Sequence, residues 1–297
     1  MASLAVITCH FNWAGFDRPV QNLRRFCRQM TRDGIPVYGV ELHLAGREPA
    51  MRGVKGWRTL QCDERAILWQ KEALLNLAET AVPKNVRFLA ALDADIAFDR
   101  SDWATATIEA LRAGPVVQPY GRALWSGRRG EEILQRPSAA AAGLTFRPWT
   151  GHPGFAWAFR RDFFRAVGGF YDLAALGAGD VAWAYALLHG QQAGEDWDHL
   201  LSHLGPANEG LYRKWMKKVR RVLGDARVGS VEGDLWHEWH GSREDRRYAA
   251  RPAWIEGYDA AAQLERHPLG YWTWRKDAPR AVRARFHEYF LARREDG

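Results

Sequence analysis

Cysteine is scarce: three in 297 residues, Cys9, Cys27 and Cys62, with no CxxC pair. That speaks against a disulfide framework or a zinc ribbon and for reduced thiols in a cytoplasmic compartment. No apolar run approaches the roughly twenty residues that a membrane helix needs, so no span is expected. The start of the chain lacks a basic stretch followed by a long apolar one, and does not read as a signal peptide. Internal repeats and Ser/Gly-rich linkers are missing as well, which points to one domain. Acidic charge is in deficit: 42 Lys and Arg stand against 35 Asp and Glu, a net +7, so an anionic partner is expected. What the chain does have is an ordinary hydrophobic fraction, 47%, and length enough to bury a sizeable core. It also has fifteen tryptophans, suited to core packing or to stacking on sugar and base faces.

Read in order, Leu4–Cys9 is a short apolar strand, and residues 10–16 form a loop. Pro19 suits the first turn of a helix carrying Val20, Leu23, Cys27 and Met30, ended by Gly34 and Pro36. Val37–Leu44 is a second strand. A second helix is predicted over Arg65–Thr80, and Phe88–Leu92 is a third strand. Ser101 is expected to cap a helix over Asp102–Ala113, followed by a strand over Val116–Pro119. This alternation is the signature of an α/β fold with a largely parallel sheet. Gly121–Gly151 breaks the pattern and reads as a long, partly mobile loop, which usually means function. Then come a strand over Phe155–Phe159 and helices over Asp162–Val167 and Asp180–His189. A further helix, Glu209–Leu223, turns Leu211, Trp215, Val219 and Val222 inward. Val228–Glu232 reads as the last strand, and the tail as helical, with Val282, Phe286, Tyr289 and Phe290 on one face.

The stretch Val86–Phe98 organises the chain. Its apolar run delivers Asp93, Ala94 and Asp95 at a strand's C-terminal end, where open α/β sheets bind ligands. Two carboxylates there cannot both be buried unpaired, and a divalent cation such as Mg²⁺ or Mn²⁺ would solve the problem. Two enzyme classes use such a pair: nucleotide-sugar glycosyltransferases and haloacid-dehalogenase-type phosphatases. The phosphatase motif normally opens its chain on the first strand, whereas here a whole α/β unit precedes it.

The run AILWQKEALLN, then LDADIAF, VVQPY and HPGFAWAFRRDFFRAVGGFYD, resembles bacterial and phage glycosyltransferases of the GT-A type, close to glycosyltransferase family 2. The resemblance covers Leu4 to about Arg251. It implies a Rossmann-like GT-A domain over residues 1–251, with a nucleotide half (1–120) and a sugar and acceptor half (121–251). A helical extension over 252–297 would follow. It implies a nucleotide-sugar donor, UDP-linked in the leading reading, with the metal neutralising the diphosphate and inversion at the anomeric carbon. Thr8, Cys9, Phe11 and Asn12 would form the first nucleotide loop, and Glu41 would contact base or ribose. Lys71, with Arg65 or Trp69, would face nucleotide or phosphate. Asp93 and Ala94 would lie against the donor, and Asp93, Asp95 and His240 would hold the metal, with His237 the alternative to His240. Asp180 would be the general base, the one carboxylate where such enzymes often have a Glu-Asp pair; helix capping is its plainer role. Gly179 before it would allow a ligand's close approach. His152, Gly154 and Trp157 would line the sugar end, Trp157 as a platform or as core.

The acceptor is less constrained. Arg213, Lys214, Lys217, Lys218, Arg220 and Arg221 on one helix, Arg243, Arg246, Arg247 and Arg251 after the histidines, and Arg128 and Arg129 suit a polyanion. Phage enzymes of this general type glycosylate hydroxymethylated bases, which makes DNA the leading acceptor and a lipid-linked or cell-surface glycan its competitor. A phosphatase and a non-catalytic sugar- or nucleic-acid-binding protein are the alternatives of another class.

Overall fold

Strands buried on both faces read as continuous apolar runs, and three such runs form the middle of this fold. The computed structural model describes residues 4–143, 150–189, 194–246 and 248–297. Its strands are β1 (Leu4–Phe11), β2 (Val37–Leu44), β3 (Trp57–Cys62), β4 (Phe88–Leu92), β5 (Ile96–Phe98), β6 (Val116–Gln118), β7 (Arg122–Ser126), β8 (Glu132–Pro137), β9 (Ala156–Arg160), β10 (Val228–Ser230), β11 (Asp234–His237), β12 (Leu264–Arg266) and β13 (Trp272–Trp274). Its helices are α1 (Asp17–Arg32), α2 (Lys71–Ala81), α3 (Trp103–Ala113), α4 (Ala139–Ala142), α5 (Arg161–Val167), α6 (Gly179–Leu188), α7 (Glu195–Leu204), α8 (Glu209–Leu223), α9 (Arg251–Trp254), α10 (Ala260–Gln263) and α11 (Arg280–Ala292).

The main sheet has the order β10-β6-β9-β4-β1-β2-β3, parallel except for β9, which runs antiparallel between β6 and β4. The α/β class with a mostly parallel sheet is therefore as expected. Successive side chains of a strand point to opposite faces, and the core divides accordingly. Ala5 and Ile7 of β1, Leu89 and Ala91 of β4, and Trp157 and Phe159 of β9 enter one cluster with α2, α5, α6 and α8. Leu4 and Val6, Phe88 and Ala90, and Ala156 and Ala158 enter the other with α1, α3 and a second sheet, β5-β11-β7-β8. No helix among the described residues is long and apolar enough to cross a membrane.

Several boundaries differ from the sequence reading. Strand β1 runs on to Phe11, so His10 and Phe11 belong to the sheet rather than to a loop. The helix expected from Arg65 begins at Lys71. Before it, the Ile67 carbonyl accepts from Trp274 Nε1 at 3.2 Å and the Leu68 carbonyl from Trp13 Nε1 at 2.8 Å, so neither joins a helical ladder. Ser101 caps nothing: α3 starts at Trp103, and the preceding Asp102 turns its carboxylate to Arg100, 2.6 Å away. The expected loop 121–151 contains the antiparallel pair β7–β8 and the short α4, while residues 144–149 lie outside the described residues. Helix α8 buries Tyr212, Met216, Val219 and Leu223, a face rotated by about one residue from the expected stripe. The strand at 228 is not the last, since β11, β12 and β13 follow it, and the tail contains a strand pair beside its helices.

Candidate functional site

The C-terminal ends of β1 and β4 and the start of β9 meet at one edge of the main sheet, held there by the amide of Asp93 donating to the Phe155 carbonyl at 2.8 Å. A cavity of about 510 Å³ opens at this edge. Thr8, Cys9 and Phe11 line it from β1, Asp93, Ala94 and Asp95 from β4, and His152 and Gly154 from the approach to β9. Lys71 enters at the N-terminus of α2 and Asp180 at that of α6, while β11 delivers His237 and the turn after it His240. The sequence reading is thus gathered into one place for most of its site residues.

Asp95, His237 and His240 present ligand atoms within 4.8 Å of one another. His240 Nε2 lies 2.8 Å from Asp95 Oδ2, and the two histidine Nε2 atoms are 3.2 Å apart. Burial pushes the Asp95 carboxyl up, but His237, His240 and Arg246 outweigh it and hold the group well below its usual range. Burial drives His237 well below its ordinary value, against the pull of Asp95. The residues fit a divalent cation. Asp95 Oδ1 and His237 Nδ1 are buried without a partner, and His240 Nε2 cannot both donate to Asp95 and accept from Arg246 Nη2, 2.7 Å away. Two imidazoles and one carboxylate suit Mn²⁺ better than Mg²⁺. The two histidines are joint members of this set rather than alternatives. Asp93, expected near the ribose or in the outer shell as well as among the ligands, lies outside this group, with its Oδ1 2.7 Å from Lys71 Nζ.

Lys71 also donates to both oxygens of Asp180, at 3.0 and 3.1 Å. Burial works against its charge, but Asp180, Asp93 and the adjacent Glu72 overcome it and hold the ammonium well above its ordinary value. Beside Asp180, Gly154 leaves an opening. A Cβ there would stand 2.8 Å from Asp180 Oδ2 and 3.2 Å from His152 Nε2, a nitrogen that is buried without a partner. Phe11 and Trp69 also line the cavity, edge to face at 5.6 Å, and Phe290 stacks on Trp69 at 6.4 Å.

Five expected site residues lie elsewhere. Both Glu41 oxygens accept backbone amides, Ala50 and Met51 at 2.8 Å each, which ties down the loop after β2 and keeps Glu41 off the cavity. Arg65 pairs with Asp63 and Glu265. The Asn12 side chain closes its own turn by accepting from Gly15 and Phe16. Trp157 is a core residue, its Nε1 donating to the Pro153 carbonyl at 2.7 Å, so it offers no sugar platform. Gly179 faces Glu72 rather than the cavity, and a Cβ at that position would overlap the Glu72 carboxylate. The site also has members that the sequence reading passed over. Glu295 Oε1 lies 3.0 Å from His240 Nδ1 and 2.6 Å from Arg293 Nη2, and Glu72 sits beneath Lys71. An acidic residue next to Lys71 was the one available signal for Glu72, whereas nothing local marks Glu295, which reaches His240 across 55 positions.

No family model matches the chain, and no curated protein matches it. Solved structures do. The glucosyl-3-phosphoglycerate synthase from Mycobacterium tuberculosis, in complex with Mn²⁺, UDP and glucosyl-3-phosphoglycerate, aligns over 92% of this chain and 87% of that one, at 10% identity and a TM-score of 0.42. The 4-diphosphocytidyl-2C-methyl-D-erythritol synthase from Anaerococcus prevotii aligns over 78% and 89%, at 12% identity and a TM-score of 0.37. The catalytic domain of Drosophila beta1,4-galactosyltransferase 7, in complex with xylobiose, aligns over 63% of this chain at 12% identity and a TM-score of 0.34. This chain spans 61% of the length of that domain, and 65% of a mutant form of the same enzyme in complex with manganese, UDP-Gal and xylobiose.

Proposed function

We propose that this protein is a metal-dependent glycosyltransferase that moves a sugar from a nucleotide-sugar donor to an acceptor hydroxyl. One observation carries the reading: a cation-binding set, Asp95, His237 and His240, shares a cavity at the sheet edge with a carboxylate, Asp180, held by Lys71. The resemblance of the sequence to GT-A enzymes supplies the donor class, with UDP the leading nucleotide and inversion the expected stereochemistry. Asp95, His237 and His240 would hold Mn²⁺ or Mg²⁺, which when bound neutralises the leaving diphosphate. Phe11 and Trp69 would pack on the nucleotide. Asp180 accepts the proton of the attacking hydroxyl, and Lys71, touching both of its oxygens, fixes the direction of that carboxylate. Gly154 keeps the approach to Asp180 open for the acceptor.

The finer expectation of hydroxymethylated DNA as acceptor rests on the basic helix α8 and the arginines after His240. No residue of α8 lines the cavity, Arg213 is held by Glu209 and Trp197, and Arg220 donates to the Leu187 carbonyl. Arg247 lies outside the described residues. We therefore favour an acceptor small enough to enter the cavity.

Calorimetric titration of UDP with and without Mn²⁺ tests the donor half. Binding is expected to depend on the metal and to weaken by about tenfold or more in Asp95→Ala. Asp180 does not cap α6, whose N-cap is Ala178 with no side-chain hydrogen bond; it sits in the first turn and accepts from Lys71. Asp180→Asn keeps the side chain's shape and one acceptor for Lys71, so it is expected to bind UDP normally and lose about 10²–10⁴-fold in turnover of the UDP-sugar. Normal turnover in Asp180→Asn would reduce that residue to a structural partner of Lys71 in the first turn of α6. Phosphate release from simple esters without any sugar acceptor would favour the phosphatase reading instead.

A further inference from the structure

The cavity is more cationic than a donor requires. Lys71 and five arginines line it, against Asp93, Asp95 and Asp180. A divalent ion and the diphosphate it holds largely cancel one another, which leaves the side-chain surplus standing. That surplus is concentrated on one wall. Lys71 is engaged by Asp93 and Asp180, Arg246 by His240, and Arg293 by Glu295. Arg136, Arg243 and Arg251 have no acidic partner among the described residues. Arg251 is only 8% exposed, and its Nε is buried with no hydrogen bond. An uncompensated buried guanidinium is costly unless an anion answers it.

These three arginines come from β8, from the turn after β11 and from the start of α9, and all of them line the cavity, as does Tyr248. The Arg251 guanidinium lies 4.4 Å over the Tyr248 ring. Arg136 is held below its ordinary value by burial and by repulsion from Arg243, and both line the cavity. The wall is continuous with the proposed base. Arg251 Nη1 is 3.2 Å from where a Cβ of Gly177 would stand, three residues before Asp180. Arg243 lies 5.9 Å over Trp125, whose ring is 4.7 Å from His152, and His152 flanks the Gly154 opening to Asp180.

Resting on the glycosyl-transfer reading, we propose that the acceptor carries an oxyanion, a phosphate or a carboxylate, which docks between Arg136, Arg243 and Arg251 while its reacting hydroxyl faces Asp180. Arginine suits the task because its planar fork pairs with two oxyanion oxygens at once. An anion held there would leave the diphosphate its place by Asp95, His237 and His240, so anion and nucleotide are expected to bind together rather than in competition.

The test is calorimetry of inorganic phosphate, and in parallel of acetate, into protein saturated with UDP and Mg²⁺. Phosphate or acetate is expected to bind this complex, and whichever binds more tightly names the group. The double variant Arg136→Ala/Arg243→Ala should lose about tenfold or more of that affinity while binding UDP and Mg²⁺ as before. Arg251→Gln should weaken it likewise. Should that variant fail to fold by circular dichroism, the double variant decides, since Arg136 is half-buried and Arg243 exposed. Equal anion affinity in wild type and double variant, displacement of UDP by phosphate, or no anion binding to wild type would each overturn the proposal. Displacement of the bound anion by duplex DNA, with the steep salt dependence of phosphate contacts, would overturn it in favour of a nucleic acid. If UDP does not bind but the anion does, and the double variant abolishes it, the donor reading falls and the anion site stands.

Discussion

Lys71 is one cation facing three carboxylates: Asp93 at 2.7 Å, Asp180 at 3.0 Å, and Glu72 buried beside it. One ammonium does not balance all three, and Glu72, the buried one, and Asp93 hold their protons more tightly than usual. Burial pushes Glu72 up to about 8 and Asp93 up to about 7, against the opposing pull of Lys71. The consequence for stability has a definite sign. Glu72 binds its proton more tightly folded than unfolded, so its contribution is fully present below about 4.5, and it is lost as pH rises through about 8. Glu72→Gln mimics the protonated form and should remove that part of the loss. Urea midpoints of wild type are therefore expected to fall between about pH 5 and pH 8.5 by more than those of the variant. Parallel pH dependence in the two proteins would show that Glu72 is ionised in the fold. The residues of this cluster were not equally legible. Asp93 and Asp95 stand out because they interrupt an apolar strand, whereas Glu72 follows Lys71 as any polar pair opens an amphipathic helix. Only the fold shows that Gly179 presses against it.

At the scale of elements, α5 is fastened to the end of α2 by one buried side chain. Arg161 Nε donates to Glu79 at 2.6 Å, and Nη2 donates to the Val82 carbonyl at 2.8 Å, so the guanidinium serves both a carboxylate and the open end of a helix. Arg165 adds a second bond to Glu79 at 2.8 Å. This joint sets the start of β9's return helix against the helix that carries Lys71. Arg161→Met would leave Glu79 buried without its main partner and is expected to destabilise the fold by about 3–5 kcal/mol by denaturant titration. The double variant Arg161→Met/Glu79→Met should recover part of that loss; equal loss in single and double variants would assign the cost to packing. The elements that were legible in the sequence share a physical property. Strands β1, β4 and β9 are covered on both faces, so their apolar runs are unbroken, and β2 owes its reading to a run nearly as apolar. Strands β7 and β8 form a pair in which β8, at the edge of the second sheet, exposes Glu132, Ile133, Gln135 and Pro137. Such a strand carries no core stripe to read, and its Gly- and Arg-rich setting looks like a loop. In α8 the stripe was found but its phase was not, since Trp215 and Val222 border the buried face that Met216 and Val219 occupy.

The chain closes on itself at the candidate cation site of Asp95, His237 and His240. After α11, Arg293 and Glu295 turn back to the cavity, and Asp296 accepts the amides of Asp17 and Arg18 at 3.1 and 2.7 Å at the start of α1. A carboxylate at a helix N-terminus answers amides that have no partner in the helix. The tail thereby sets Glu295 3.0 Å from Nδ1 of His240, and Arg293 with His240 holds the Glu295 carboxyl well below its usual range against the effect of burial. An ionised acceptor on Nδ1 places the proton there and leaves Nε2 of His240 free as a ligand, which raises its basicity as well as fixing its direction. No local pattern near residue 240 could have shown this, because the partner arrives from the far end of the chain. Glu295→Gln keeps the shape and removes the charge, so it is expected to weaken Mn²⁺ affinity by about 10–100-fold with the fold intact. The same loss should appear as a smaller rise in melting temperature on adding Mn²⁺ and UDP, since a ligand that binds only the folded state stabilises it by mass action. Asp296→Asn separates the two roles of the tail. It gives up one of the two acceptor oxygens that serve the α1 amides and leaves Glu295 in place, so its Mn²⁺ affinity should stay near that of wild type. An equal loss in Asp296→Asn would mean that docking of the tail, rather than the charge of Glu295, is what the metal-binding residues need.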